Sequence, residues 1–115
     1  MKLTRARARK LSREWQERLC LRDWNVDVRV ETIKNARGTI SQFPEKQMAI
    51  MRVDPDREVA GVDRLWAKAD HERTIVHELL HIHFTQAKRR GYHEEQAIHA
   101  LACALVGLKR KSRRK

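Results

Sequence analysis

The sequence is poor in the residues that identify several structural classes. Only 5% of its 115 residues are aromatic, and it has two cysteines, two prolines and four glycines. Cys20 and Cys103 lack CxxC or zinc-finger spacing, which argues against a disulfide scaffold and predicts buried free thiols. The N-terminus lacks a signal-peptide apolar stretch, and no run approaches the ~20 apolar residues of a membrane span. We therefore expect a soluble, cytoplasmic protein with one aliphatic core and no membrane partner.

Positive charge is concentrated at the two ends of the chain. The net charge is +11, and six of the 26 Lys and Arg residues fall in residues 1–13 and six in residues 109–115. Neither segment contains an acidic residue, whereas the intervening residues hold all 15 acidic side chains. Like-charged blocks usually stay solvated and can contact phosphates or an acidic partner. The charge pattern thus predicts a basic N-terminal arm (1–13), a domain (14–108) and a basic C-terminal tail (109–115).

The first half of the domain is predicted to contain one helix and a small sheet. Ser12 is a candidate N-cap for a helix that runs to about Leu21. Apolar and polar residues then alternate over residues 24–33, which indicates a half-buried strand. Two further strands are predicted at 39–43 and 47–53, on either side of Pro44. We expect these three strands to form an antiparallel sheet. Residues 57–68 have no clear pattern.

Two more helices are predicted to complete an α+β fold. The first begins near Asp70, is apolar around most of its circumference and ends at residues 89–91. The second begins near His93. Its predicted core-facing residues are Ile98, Leu101, Leu105 and Leu108.

The first of these helices contains an HExxH motif, His77-Glu78-Leu79-Leu80-His81. Histidines four residues apart lie on nearly the same helix face, so both imidazoles can reach one metal ion. Glu78 lies about 100° around the helix from His77 and can reach a metal-bound water without binding the metal. Burying these polar groups in an aliphatic helix without a metal would carry a large desolvation cost. The motif therefore predicts a catalytic zinc site with His77 and His81 as ligands and Glu78 as general base.

The third ligand is expected at the start of the last helix, where Glu94 and Glu95 are both available. At about 100° per residue, Glu94 lies at the centre of the face defined by Ile98, Leu101 and Leu105. Glu95 lies to the side of that face. Glu94 is therefore preferred, with Glu95 as the alternative.

Other polar residues near the motif leave alternatives open. His83 points about 200° away from His81 and is not expected to share its metal. His93 and His99 would allow a site with three histidine ligands. Tyr92 or His93 could donate a hydrogen bond to the oxyanion of a tetrahedral intermediate.

HELLH at 77–81, followed by HEEQAIHALACAL at 93–105, resembles the compact gluzincins, which include the minigluzincins and the ImmA/IrrE-like metallopeptidases. The chain also looks like short metallopeptidases encoded by phages, and the resemblance covers roughly residues 24–108. It implies a zincin-like minimal core in which His77, His81 and either Glu94 or Glu95 bind zinc. It further implies that Glu78 is the catalytic carboxylate. The motif is similar, too, to SprT-like DNA-associated proteases, in which His93 or His99 would have to be the third ligand.

The sequence thus predicts a zinc-dependent metallopeptidase that acts on a protein or peptide substrate. Glu78 would accept a proton from the zinc-bound water and pass it to the departing amine. The alternative is a nucleic-acid or protein-partner binding module in which zinc is structural and the basic tails make the contacts. Nothing in the sequence indicates an oligomeric state.

Overall fold

The computed structural model describes residues 3–34, 36–55, 71–84 and 92–113, without the side chains of residues 92–94 and 113. This part of the chain forms three helices and a three-stranded sheet. The predicted α+β class is therefore confirmed. Residues 57–68 and the predicted helix ends at Asp70 and 89–91 lie outside the described residues. In chain order the elements are α1 (Arg5–Arg18), β1 (Asn25–Val30), β2 (Gly38–Phe43), a short 3₁₀ helix (Pro44–Lys46), β3 (Met48–Val53), α2 (His71–His83) and α3 (Tyr92–Arg113).

The sheet is mixed, so the prediction of an antiparallel sheet is wrong. The strand order is β1-β3-β2, and β3 pairs parallel with β1 and antiparallel with β2. The composition of the strands explains this order. Strand β3 completely buries Ala49, Met51 and Val53, whereas β1 and β2 carry more polar residues, which suit the edges of a sheet.

Asp54 holds the segment that carries the chain from β1 across to β2. Its Oδ2 accepts a 2.9 Å hydrogen bond from the backbone N–H of Ile33. Its own backbone N–H donates to the carbonyl oxygen of Arg37, also at 2.9 Å. Asp54 follows β3 directly, so both ends of the crossing segment are tied to the end of the central strand. These hydrogen bonds give partners to backbone groups that lie beyond the hydrogen-bonded strands of the sheet.

Helix α1 begins earlier than the sequence predicts. Its N-cap is Thr4, whose Oγ1 accepts a 3.2 Å hydrogen bond from the backbone N–H of Arg7. Ser12, the predicted N-cap, is instead a buried residue inside the helix, next to buried Leu11. Residues 5–13, which the charge pattern assigned to a solvated arm, form the first turns of α1. Their arginines stay exposed because one helix face can enter the core while long basic side chains remain in water.

The end of α1 is a Schellman motif with a cysteine in the left-handed position. The N–H of Leu21 donates to the carbonyl of Gln16 at 2.6 Å, and the N–H of Cys20 donates to that of Glu17 at 3.2 Å. Cys20 has φ 60°. Cys20 and Cys103 are both free thiols, but Cys20 is exposed and Cys103 is half-buried, so the prediction that both are buried is wrong.

Helices α1 and α2 contact the sheet, and α3 packs on α2. Among the described residues, no helix combines the length and apolar character that a membrane span needs. The largest fully buried apolar side chains come from α1, β3, α2 and α3 and include Trp15, Met51, Ile75, Leu79 and Ile98.

Helix α3 turns a different face to the core from the one predicted. Ile98 is buried as expected, and Leu105 packs partly buried against the core. Leu101 and Leu108, however, are 42% and 65% exposed. Small residues and a lysine take their places: Ala102, Val106 and Lys109 are buried. The predicted face was wrong by about one residue because leucine was weighted above alanine, whereas a close helix contact favours the smaller side chain.

A buried charged cluster joins the three helices. Glu72 on α2 accepts hydrogen bonds from Trp15 Nε1 at 2.7 Å, from Lys109 Nζ and from Arg110 Nη2 at 3.3 Å. Lys109 also donates to Glu14 Oε2 at 2.9 Å. Burial tends to raise the pKa of Glu72, but the hydrogen bonds from Lys109 and Trp15 and the two positive charges outweigh it and lower that pKa. Lys109, predicted to lie in a solvated tail, is thus a buried structural residue.

Candidate metal centre

Two histidines of α2 and one glutamate of α3 converge at the contact between these helices. His77 Nε2 lies 3.0 Å from Glu95 Oε2, and His81 Nε2 lies 3.1 Å from Glu95 Oε1. The two imidazole ring centroids are 5.1 Å apart. One potential ligand atom from each residue lies within 4.8 Å of the others. This is the only group of at least three potential metal-ligating side chains among the described residues that meets this criterion.

The local sequence explains why the three side chains meet. The four-residue spacing of His77 and His81 sets their rings one turn apart on the same face of α2. The apolar residues Ile75, Val76 and Leu79 are fully buried, and they fix the rotation of α2 in the core. On α3, Glu95 precedes Ile98 by one turn and therefore lies on the face that packs against α2. The centre is thus built by helix packing rather than by a loop.

The centre is closed on one side and open on the other. The side chain of His81 is 6% exposed and that of His77 20%, whereas that of Glu95 is 51% exposed. Any group bound between the three residues would therefore be reached from the Glu95 side. The buried imidazoles thus lie beneath a carboxylate that is accessible to solvent.

The surroundings of His77 favour its neutral, ligating form. Burial lowers the pKa of His77, although the charge of Glu95 and its hydrogen bond act in the opposite direction. The pKa of His99 is also lowered, first by burial and then by His77, Arg73 and Arg37. Neutral imidazole is the form that binds metals.

Glu78 lies beside the histidines but belongs to the interface with the sheet. It is buried, and its Cγ lies near Gly38 at the start of β2: a Cβ on Gly38 would be 3.2 Å from Glu78 Cγ and 2.7 Å from Thr74 Cγ2. The missing side chain of Gly38 therefore allows β2 to approach α2 at Glu78. Glu78 does not belong to the His77, His81 and Glu95 group.

The structure brings the alternative ligand, Glu95, to the two histidines. The side chain of Glu94 lies outside the described residues, as do those of Tyr92 and His93, so their predicted roles stay predictions. The preference for Glu94 followed from the face that included Leu101. The observed face, with Ile98, Ala102 and Val106, places Glu95 on the packed side of α3. In the sequence, the seven-residue spacing between Glu95 and the small Ala102, which is two helical turns, indicates that both residues lie on this packed face.

His83 and His99, the two other described histidines considered as ligands, have other neighbours. His83 Nε2 lies 2.6 Å from the carbonyl oxygen of Leu19 on the far side of α2, as its predicted direction requires. The ring of His99 lies 5.9 Å from that of His77, and its Nε2 is 3.8 Å from Cys103 Sγ. His99 is therefore adjacent to the centre without joining the ligand group.

Comparisons with known proteins return no match: no family model, no curated protein and no solved structure is similar to the chain. The functional argument consequently depends on the geometry of the centre and on the chemistry of its residues.

Proposed function

We propose that the chain is a zinc-dependent metallopeptidase, with zinc bound by His77, His81 and Glu95. The observation that carries this proposal is the position of the Glu95 carboxylate, which faces the Nε2 atoms of both histidines at 3.0 and 3.1 Å. The resemblance to compact gluzincins and phage-type metallopeptidases is part of the same proposal. It is supported by the order of the motifs, HExxH followed by a helix that carries the glutamate.

The spacing of the three residues suits zinc. Zinc lies roughly 2.0–2.1 Å from nitrogen and oxygen ligands, so two ligands of a tetrahedral site are about 3.4 Å apart. Each Glu95 oxygen needs to move only a few tenths of an ångström from its imidazole nitrogen to reach that spacing, and one ligand atom from each of the three residues already lies within 4.8 Å of the others. Two histidines and one carboxylate are a known donor set of catalytic zinc sites, which keep a fourth position open for water. The exposure of Glu95 provides such an opening.

Bound zinc would polarise a peptide carbonyl and lower the pKa of its water to about 7. Glu78 would take the proton from that water at one carboxylate oxygen and deliver it to the leaving amine. Tyr92 stays the predicted donor to the oxyanion.

Strand β2 supports a peptide as the substrate. It is an edge strand of the described sheet, and Gly38 brings it against α2 beside Glu78. An extended chain can add to a free strand edge through backbone hydrogen bonds. A substrate peptide laid along β2 would therefore pass close to Glu78 and to the open side of the centre.

The first test is metal content and zinc affinity of the purified protein, measured for the wild type and for single substitutions. We expect one zinc per chain. His77→Ala and Glu95→Gln should each weaken zinc binding by more than about 100-fold, because even an outer partner of a ligand is worth roughly 10- to 100-fold. Glu94→Gln and His83→Ala are the matched controls and should leave affinity within about threefold. Absence of zinc after reconstitution contradicts the proposal.

The second test separates catalysis from metal binding. Cleavage of a mixture of internally quenched peptides should depend on zinc, and mass spectrometry identifies the products. Glu78→Gln should retain zinc but lose about 100- to 10,000-fold in turnover, because it removes the proton acceptor. Undiminished cleavage by this zinc-loaded variant would contradict the role of Glu78. A zinc-binding wild type that cleaves nothing would favour the structural zinc of the alternative function.

A further inference from the structure

A groove with a predominantly basic wall runs between α1 and β1, on the side of the sheet away from β2. It has a volume of about 710 Å³. Helix α1 contributes Arg9, Ser12, Arg13 and Gln16, which lie on one helix face over two turns. Strand β1 contributes the consecutive residues 25–28, and Met48 at the start of β3 also lines the groove.

The floor of the groove is the open edge of β1. Strand β1 pairs only with β3 in the described sheet. The backbone N–H groups of Asn25 and Glu31 donate towards β3, to Gln47 and Val53. Backbone groups alternate in direction along a strand, so those of Val26 and Val28 point away from β3, towards the edge that is open in the described sheet. Four consecutive lining residues are expected when the edge of a strand, rather than one of its faces, is presented.

The walls of the groove carry three arginines. Arg9 and Arg13 are one turn apart on α1, and Arg22 follows the helix. All three are exposed, and within the described part of the chain none of them forms an ion pair. Asp27, the acidic residue that lines the groove, is paired with Arg29 at 3.1 Å. The excess charge that faces the groove is therefore positive.

Gln16 builds this site by holding the loop that carries Arg22. Its Nε2 donates to the carbonyl oxygens of Leu21 at 3.3 Å and of Trp24 at 2.8 Å. Its Oε1 accepts from Ser12 Oγ at 3.2 Å. Both side chains are buried. Arg22 and Trp24 are thus fixed relative to α1.

We propose that this groove binds an extended acidic peptide as an additional strand on the edge of β1. The peptide backbone would pair with Val26 and Val28, and its carboxylates would be held by Arg9, Arg13 and Arg22. Alternate side chains of an extended chain are about 6.6 Å apart, and residues one turn apart on a helix are about 6 Å apart. Acidic residues at every second position therefore match Arg9 and Arg13. The site is separate from the metal centre and does not depend on peptidase activity.

A peptide fits this groove better than a nucleic acid does. The guanidinium group of arginine can form paired hydrogen bonds with either a carboxylate or a phosphate. The three arginines therefore do not distinguish an acidic peptide from a nucleic acid. The strand edge does, because its alternating backbone donors and acceptors match another peptide backbone. The groove has one aromatic residue, Trp24, and it is half-buried, whereas single-stranded nucleic acids are bound by stacking on successive aromatic rings.

The test uses the full chain and a labelled eight-residue peptide of alternating Glu and Thr, with a Gln–Thr peptide as the neutral control. Fluorescence anisotropy measures affinity, and mass spectrometry of the recovered peptide establishes that it is intact. The acidic peptide should bind, and the Arg9→Gln/Arg13→Gln variant should weaken binding by at least about tenfold. Arg7→Gln/Lys10→Gln removes two exposed charges of the same helix outside the groove and should change affinity by less than about threefold.

Backbone pairing is tested by N-methylation of the peptide at every second residue. One methylated series blocks the N–H groups that face β1, whereas the other blocks those that face solvent, so only one series should lose binding. The amide NMR signals of Val26 and Val28 should shift on binding. Equal binding of the two series, or of the neutral peptide, overturns the proposal. Tighter, arginine-dependent binding of a single-stranded oligonucleotide of equal charge also overturns it and identifies a nucleic-acid surface.

Discussion

The indole Nε1 of Trp15 donates a 2.7 Å hydrogen bond to Oε2 of Glu72, which also accepts from Lys109. This contact joins the middle of α1 to the first turn of α2, and Lys109 adds the last turns of α3. His77 and His81 follow on α2, and Glu95 lies near the start of α3. Helices α2 and α3 are therefore joined at one end by the charged cluster. At their other end they meet at the candidate metal centre.

Lys109→Ala is expected to destabilise the fold by about 3 kcal/mol, because it leaves the Glu72 carboxylate buried without its closest cation. The control is Arg29→Ala, which breaks the exposed pair with Asp27 and should cost less than about 1 kcal/mol. Urea unfolding followed by circular dichroism gives both values. Similar losses for the two variants would mean that the Glu72 cluster behaves as a surface pair.

Acid should weaken the fold through Glu72. Because its pKa in the folded chain lies below the ordinary 4.5, the unfolded chain binds the proton more readily. The contribution of Glu72 is thus present above pH 4.5 and lost as the pH falls below that value. Urea midpoints between about pH 3 and about pH 6 should show this fall, and a Glu72→Gln variant should show a shallower one. Identical pH profiles would contradict the assignment.

The sequence alone was sufficient to predict features that depend on a single helix or strand. The alternation of Val26, Val28 and Val30 identified β1, and the four-residue spacing of His77 and His81 set both histidines on one face of α2. Both are local properties that the chain carries whatever its neighbours do.

The predictions that were wrong concern features that depend on how one helix or strand packs against another. The parallel pairing of β1 with β3 depends on which strand occupies the centre, and the face of α3 depends on how closely α2 approaches. Lys109 was predicted to lie in a charged tail because the residues near it in sequence do not indicate its contact with Glu72, which lies on another helix. The position of Glu95 beside the histidines could not be derived from the sequence for the same reason, since its direction follows from the packing of α3 on α2.

Gly38→Ala is expected to destabilise the fold by about 1–3 kcal/mol, because the added Cβ would lie 2.7 Å from Thr74 Cγ2. Thr74→Ser removes that methyl group and should recover part of the loss in the double variant. The matched control is Gly107→Ala on α3, where nothing lies within 4 Å, and it should stabilise the helix by about 0.5–1 kcal/mol. A Gly38→Ala protein as stable as the wild type would contradict the close packing of β2 on α2.

Cys20→Gly is expected to stabilise the protein by up to about 1 kcal/mol. A left-handed residue other than glycine is strained by roughly 1–2 kcal/mol, and glycine loses part of that gain through its larger unfolded-state entropy. Cys20→Val is the contrasting change and should destabilise, because a β-branched residue fits φ 60° poorly. Thermal unfolding under reducing conditions compares the three proteins. A Cys20→Gly variant less stable than Cys20→Val would contradict the strain assigned to this left-handed position.

The central position of β3 also sets the order in which the sheet can form. Strands β2 and β3 are joined by a 3₁₀ helix of three residues, so their pairing closes a very short loop. Strand β1 reaches β3 only after the chain has passed over β2, which closes a longer loop at a greater entropic cost. The β2–β3 hairpin is therefore expected to form first, and β1 to dock last together with α1. Strand β1, which borders the arginine groove, is then the last strand of the sheet whose hydrogen-bonded amides become protected from hydrogen exchange during refolding.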